Sequence, residues 1–250
     1  MMPQLGLCPR FVRQGSRPLK RLGLVTAAAL CATLANGAHA QRQGAAGLSR
    51  IVNPDMLGVQ VAYLESITGP ARRVHQAFRA QGQDREYRIG GCEVTALVRG
   101  GEVAAYRVPL SRTCTFDLRR FPNVQTPVPV HQATFGMIAD QFSASRFLPA
   151  CLSGCGNAAD PTFGLYGEGS RAQSSIEIVV SATYNNEQVG RAAEALRQSA
   201  SRLVSDDDIT MGRFSCHPQY DRLAQRHFQG VRIHEITIGY RLSPEVPDCR

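Results

Sequence analysis

Apolar positions recur at helical spacing in some stretches of this chain and alternate in others, which predicts a mixed α and β protein. Leu57, Val61 and Leu64 fall on one stripe, joined by Ile67. Asn53 caps that helix, Pro54 suits its first position, Asp55 suits its positive end, and Thr68-Gly69-Pro70 stops it. From Ala71 to Asp84 the pattern is weak. Three strands then follow in quick succession: Glu86 to Ile89, a Gly90-Gly91 turn, Cys92 to Val98, an Arg99-Gly100-Gly101 turn, and Glu102 to Leu110. Cys92, Val94, Ala96 and Val98 share one face of the second strand, so Cys92 points inward and Cys114 can close the meander.

Pro122, Pro127 and Pro129 interrupt residues 115–130 and mark a seam. Beyond it come an apolar stretch at Phe135 to Phe142, a cysteine loop from Cys151 to Pro161, and strands at Phe163 to Tyr166 and Ser175 to Tyr184. A long helix capped by Asn185 or Asn186 carries Val189, Ala193, Leu196, Ala200 and Leu203 at helical spacing. A helix at Gln219 to Phe228 leads to a last strand, Arg232 to Leu242, with Ile236, Ile238, Tyr240 and Leu242 alternating inward. No internal repeat stands out. The expected architecture is α+β, with two small antiparallel sheets packed by helices and stabilised by disulfides. Its expected parts are a signal peptide (1–40), a flexible tether (41–52), a helix-plus-meander domain (53–121), the proline-rich seam (122–130) and a C-terminal α+β domain (131–250).

The run Met56-Leu57-Gly58-Val59-Gln60-Val61-Ala62-Tyr63-Leu64-Glu65-Ser66-Ile67-Thr68-Gly69-Pro70, with the meander after it, resembles the SmpA/OmlA family of small outer-membrane lipoprotein domains. More loosely it is similar to the repeat unit of β-lactamase inhibitory proteins. The likeness covers residues 55–110. It implies a scaffold that binds other envelope proteins and performs no chemistry.

The first forty residues change how the charge and the cysteines are read. Arg10, Arg13, Arg17, Lys20 and Arg21 precede an apolar stretch from Leu22 to about Leu34, and Ala38-His39-Ala40 offers small residues for cleavage, the pattern of an export signal. The expected location is therefore periplasmic or secreted, with the working chain starting near Gln41. The formal charge of +8 falls to +3 once the five cations and no acids of residues 1–40 are set aside, which removes the case for nucleic-acid binding. Lys20 is the only lysine, so every later cation is arginine. Leu30 is too large for the position before a lipidated cysteine, which argues against a lipid anchor at Cys31. No later stretch reaches the ~18 apolar residues of a membrane span.

Six cysteines follow the leader: Cys92, Cys114, Cys151, Cys155, Cys216 and Cys249. An even number in an exported chain reads as disulfides. Six permit fifteen pairings; nearness in sequence favours Cys92 with Cys114, Cys151 with Cys155, and Cys216 with Cys249. The first and third would each stabilise the fold by roughly 3–4 kcal/mol.

The Cys151–Cys155 loop is the strongest candidate binding feature in the sequence. A bond across it would hold Leu152-Ser153-Gly154 as a rigid projection, with Asn157 and Asp160 beside it. In this it resembles the disulfide-closed loop of periplasmic lysozyme inhibitors, although it lacks the charged and histidine residues expected there. Three intervening residues do not match the two of a thioredoxin-like redox site. Cys216 and His217 are adjacent and point apart, which disfavours zinc. There is no Gly-x-Ser-x-Gly elbow and no Ser-x-x-Lys. Asp160, Glu168 and Glu177 are the carboxylates a hydrolase would draw on. Asp206-Asp207-Asp208 lacks the alternating ligands of a calcium loop, and Gly164 to Gly169 has the wrong spacing for a phosphate loop.

The expected function is thus a non-enzymatic protein-interaction module of the cell envelope, with an envelope or secreted protein as partner and neither cofactor nor metal. The alternatives are an inhibitor of a lysozyme-like or other secreted enzyme acting through the Cys151–Cys155 loop, and a cell-wall or peptide hydrolase.

Overall fold

The alternating stretches pair into a single antiparallel sheet of eight strands: β1 (Arg73–Gln76), β2 (Gln83–Ile89), β3 (Cys92–Arg99), β4 (Glu102–Pro109), β5 (Ser145–Pro149), β6 (Thr162–Glu168), β7 (Ile176–Thr183) and β8 (Glu235–Tyr240). Their spatial order is β1-β2-β3-β4-β8-β7-β6-β5. This computed structural model describes residues 47–76, 82–122, 124–142, 145–149, 152, 161–168, 176–203 and 218–242. All of them belong to one unit, Ala40–Arg250. The helices are α1 (Val61–Thr68), α2 (Phe135–Ala139), α3 (Glu187–Ala200) and α4 (Pro218–Phe228).

Two small sheets were expected, and that expectation is overturned. The last strand, β8, pairs with β7 on one side and with β4 on the other, joining the two meanders edge to edge. Ile236, Thr237, Ile238 and Gly239 are consecutively buried, as befits a central strand with both faces covered. Gly239 is required there: a Cβ at this position would collide with the backbone of Ala104 and Ala105 in β4. β8 also ends earlier than the alternation of Tyr240 and Leu242 implies. Arg241 adopts φ 57°, which turns Leu242 to the opposite side of the sheet, against Leu97, Ala105 and Tyr166.

The main core lies on the other side. Cys92, Val94, Ala96 and Val98 of β3, and Ile176, Ile178, Val180 and Ala182 of β7, face it together with Ile236 and Ile238. The residues that alternate inward in the sequence are these. Phe163 and Phe228 stack with ring centroids 3.5 Å apart, and Phe135 meets both rings edge-on at 5.7 and 5.6 Å. The three rings come from β6, α4 and α2, so this cluster ties the helices to the second half of the sheet. Asn186 caps α3, its side chain accepting from the N–H groups of Gln188 and Val189.

The helix expected from Pro54 to Thr68 is broken. Asn53 caps only a 3-10 turn, Pro54–Met56, its side chain accepting from the Asp55 N–H. Gly58, at φ +80°, then leaves the helical region, its N–H donates to the Val103 carbonyl at 2.8 Å, and the Val103 N–H donates to Val59. Pairing with β4 therefore competes with helix and wins for one turn before α1 starts. On α1, Glu65 accepts from Arg85 at 2.8 Å and from the Tyr87 hydroxyl at 3.2 Å. Burial, reinforced by Glu65, pushes the Tyr87 phenol up to about 12.

The edge strands β1 and β5 carry no clear alternation in the sequence, and neither was expected. The two are finished differently: β1 is exposed along its whole length, whereas the Phe147 N–H of β5 donates to the Asp221 carboxylate of α4 at 2.7 Å. Cys92 and Cys114 form the expected disulfide, with Cα atoms 5.4 Å apart. Cys151, Cys155, Cys216 and Cys249 lie outside the described residues. Among the described residues no helix is long and apolar enough to cross a membrane.

Gly239→Val should destabilise the fold by about 3 kcal/mol, because it overpacks the β4–β8 seam. Gly230→Ala, where an added Cβ meets nothing within 4 Å, should leave the urea midpoint unchanged. Equal midpoints for the two variants would remove the seam from its central place. Replacing Cys92 and Cys114 together by Ala should lower unfolding stability by about 3 kcal/mol, read in the same denaturation series.

Candidate functional site

A groove of about 510 Å³ opens where regular structure gives out after β4. One wall is the segment 115–120 that follows Cys114. The Phe116 ring is buried and meets Phe121 edge-on at 6.4 Å, which anchors this wall to the core. Asp117 caps the 3-10 turn Leu118–Arg120 by accepting from the Arg119 N–H at 2.9 Å. The second wall is Thr126 to Pro129, within the seam. Proline fixes φ at positions 127 and 129, Thr126 Oγ1 donates to the Val128 carbonyl at 3.2 Å, and buried Val130 holds the far end.

The third wall comes from residues expected in the tether. Residues 47–51 form a helical turn that buries Leu48 and Ile51, with Val52 buried next to it. Their spacing of three and four residues was the available signal. Asn53 Nδ2 secures the turn from below, donating to the Arg50 carbonyl at 2.8 Å and the Ser49 carbonyl at 3.3 Å. Arg120 Nη1 crosses the groove to donate to the Ser49 carbonyl at 3.0 Å.

Arginine dominates the rim. Arg50, Arg119 and Arg120 line the groove, and Asp117 is the single acid among its lining residues. Arg119 already neutralises that acid through a fork, Nε to Oδ1 at 2.9 Å and Nη2 to Oδ2 at 2.7 Å. This fork holds the Asp117 carboxyl below its ordinary range, helped by the charge of Arg120. The floor is apolar, formed by Phe116, Pro127, Val128 and Pro129. An apolar floor with a few convergent polar groups is the usual make-up of a binding cleft.

Thr115 lies at the inner edge, 2.9 Å from His131 Nδ1. Gln132 Nε2 sits 3.3 Å from His131 Nε2, and the imidazole tautomer decides which partner donates in each of the two contacts. Burial lowers the His131 pKa, and the charges of Arg232 and Arg112 lower it further.

A second hydroxyl–imidazole contact joins Ser199 Oγ, which also lies 2.9 Å from the Ala195 carbonyl, to His227 Nε2 at 3.0 Å. Of the residues expected to form a projecting loop, Leu152 is buried in the main core. Ser153, Gly154, Asn157 and Asp160 lie outside the described residues. Glu168 stands opposite Glu177 in the β6–β7 register, and Tyr166 is hydrogen-bonded to Glu177. Gly164 and Gly167, whose spacing does not fit a phosphate loop, are both within β6. Among the described residues no group of three or more His, Cys, Asp or Glu could hold a metal.

Burial depresses the pKa of His131, His227 and His234 alike. Below about pH 6.5 the unfolded chain takes up protons that the folded chain resists. Stability should therefore be full above that pH and fall as the pH is lowered toward 5, with the three imidazole resonances titrating below 6.5 in the folded protein. Resonances titrating at or above that value would remove the effect. Compared with known proteins, the chain matches no family model, no curated protein and no solved structure.

Proposed function

We propose that this protein is a non-enzymatic, exported interaction module of the cell envelope, and that it grips a partner protein in the arginine-rimmed groove. The observation that carries this reading is the groove's construction. Its walls are fixed by a disulfide at Cys114, two prolines and a buried aromatic pair, while Arg50 and Arg120 reach its rim exposed. A site already rigid loses little ordering entropy when a partner docks. The cationic, apolar and small-residue pattern of residues 1–40 supports export.

The test is affinity capture from an envelope extract, using the full chain expressed with a C-terminal tag. Wild type and Arg88→Glu, a change at an exposed position of β2 away from the groove, should retain the same partner. The double variant Arg50→Glu/Arg120→Glu should lose it at least tenfold. Retention of the partner by the double variant would refute the groove as the contact surface, and failure of the wild type to retain any protein would refute the interaction reading itself.

A further inference from the structure

We infer that the groove is a receptor for an acidic, extended segment of polypeptide, in which a carboxylate meets the arginine rim while an adjacent apolar side chain rests on the proline–phenylalanine floor. This deepens the interaction reading and rests on it. The first argument is charge. Arg50, Arg119 and Arg120 line the groove, and Arg112 and Arg232 lie near enough to act on His131 beside it. Asp117 is the only acid in the lining, and both its oxygens are occupied by Arg119. The Arg50 side chain has no hydrogen-bond or ion-pair partner among the described residues. Arg120 uses one nitrogen on the Ser49 carbonyl and keeps the rest of its guanidinium for a ligand. The site therefore presents a clear excess of positive charge with its own acid already satisfied.

The second argument is the kind of donor. Guanidinium offers N–H groups in a planar fork that matches a carboxylate, and the Thr115 hydroxyl adds a polar group to the lining. The third is shape. Pro127 and Pro129 flank Val128, and Phe116 closes the base, giving an apolar patch bounded by Ser49, Thr115 and Thr126. An extended polypeptide alternates its side chains from one face to the other, so acidic and apolar residues in succession would reach the rim and the floor together. A volume of about 510 Å³ is within the range of roughly 300–1,000 Å³ for ligand clefts.

Fluorescence anisotropy with the full chain tests this, using a labelled Gly-Leu-Asp-Leu-Asp amide and its counterpart with both Asp replaced by Asn. The acidic peptide should bind at least tenfold more tightly. Its affinity should fall tenfold or more with Arg50→Glu/Arg120→Glu, and by a smaller factor with Arg50→Glu alone, a variant that leaves the Arg120–Ser49 contact intact. It should weaken steeply with added salt. Equal affinity for the two peptides would overturn the inference. So would co-sedimentation with phosphatidylglycerol vesicles that the double charge reversal abolishes, since the ligand would then be a lipid phosphate. If the double variant loses its envelope partner while the two peptides bind alike, the carboxylate assignment fails and the interaction reading stands. If the acidic peptide binds but no envelope partner depends on the two arginines, the reverse holds.

Discussion

The pairing of β4 with β8 is the constraint on which the rest of this structure depends. Each half of the chain makes a meander with an unsatisfied edge, β4 in the first and β7 in the second, and a bare edge strand invites pairing with another chain. The last strand of the chain fills the gap between them, from Ala105–Pro109 on one side to Ile176–Ser181 on the other. Both edges are thereby satisfied with one strand. The cost is that β8 is reached from β7 only after α3, α4 and the stretch between them, so the seam closes when most of the chain has been laid down, which is a long-range contact of the slow kind.

Joining the meanders also decides where the chain is left irregular. α2 and α4 pack on the second half of the sheet through the Phe135, Phe163 and Phe228 cluster, and α3 packs against α4. Over the first half the described residues hold only short helical pieces, α1 among them. Part of its core surface is covered by the helical turn at residues 47–51 and by the largely irregular segment that follows the disulfide. The groove lies between these two. Cys114 immediately precedes its wall, so the covalent link to β3 both staples the meander and fixes where that wall begins.

Most of the elements, though not their assembly, are legible in the sequence. The periodicity of Val189, Ala193, Leu196 and Ala200 and the alternation in β3 and β7 are local signals, set by which face is buried. The two glycine turns of the first meander and the Cys92–Cys114 bond are local as well. The merging of two sheets is not, because strand order across a gap of more than a hundred residues leaves no periodic trace. What trace there was lay in β8: four successive residues buried require cover on both faces, yet Thr237 and Gly239 read as the outward positions of a surface strand. The edge strands were hidden for the opposite reason, since an exposed Arg-Val-His-Gln has no buried face to set a pattern. The groove itself was legible only as a seam. Pro127 and Pro129 marked the break, but that it faces Arg50 and Arg120 depends on tertiary packing of Leu48 and Ile51.

The arginines of that groove are hard to account for as contributors to the fold. Arg50, Arg119 and Arg120 are exposed, and like charges gathered at one place destabilise a compact state through mutual repulsion. Only Arg119 is matched by an acid of the lining, and only Arg120 is tied to the backbone. Acids do face arginines at some other places, as Glu187 does Arg191 and Glu194 does Arg197 along α3, or Asp84 does Arg107 across the sheet. In the groove three arginines meet one acid, beside a wall that follows the disulfide and another that carries two prolines. A charge excess kept on a rigid scaffold is what a site must carry if its missing counter-charge is to come from outside the molecule.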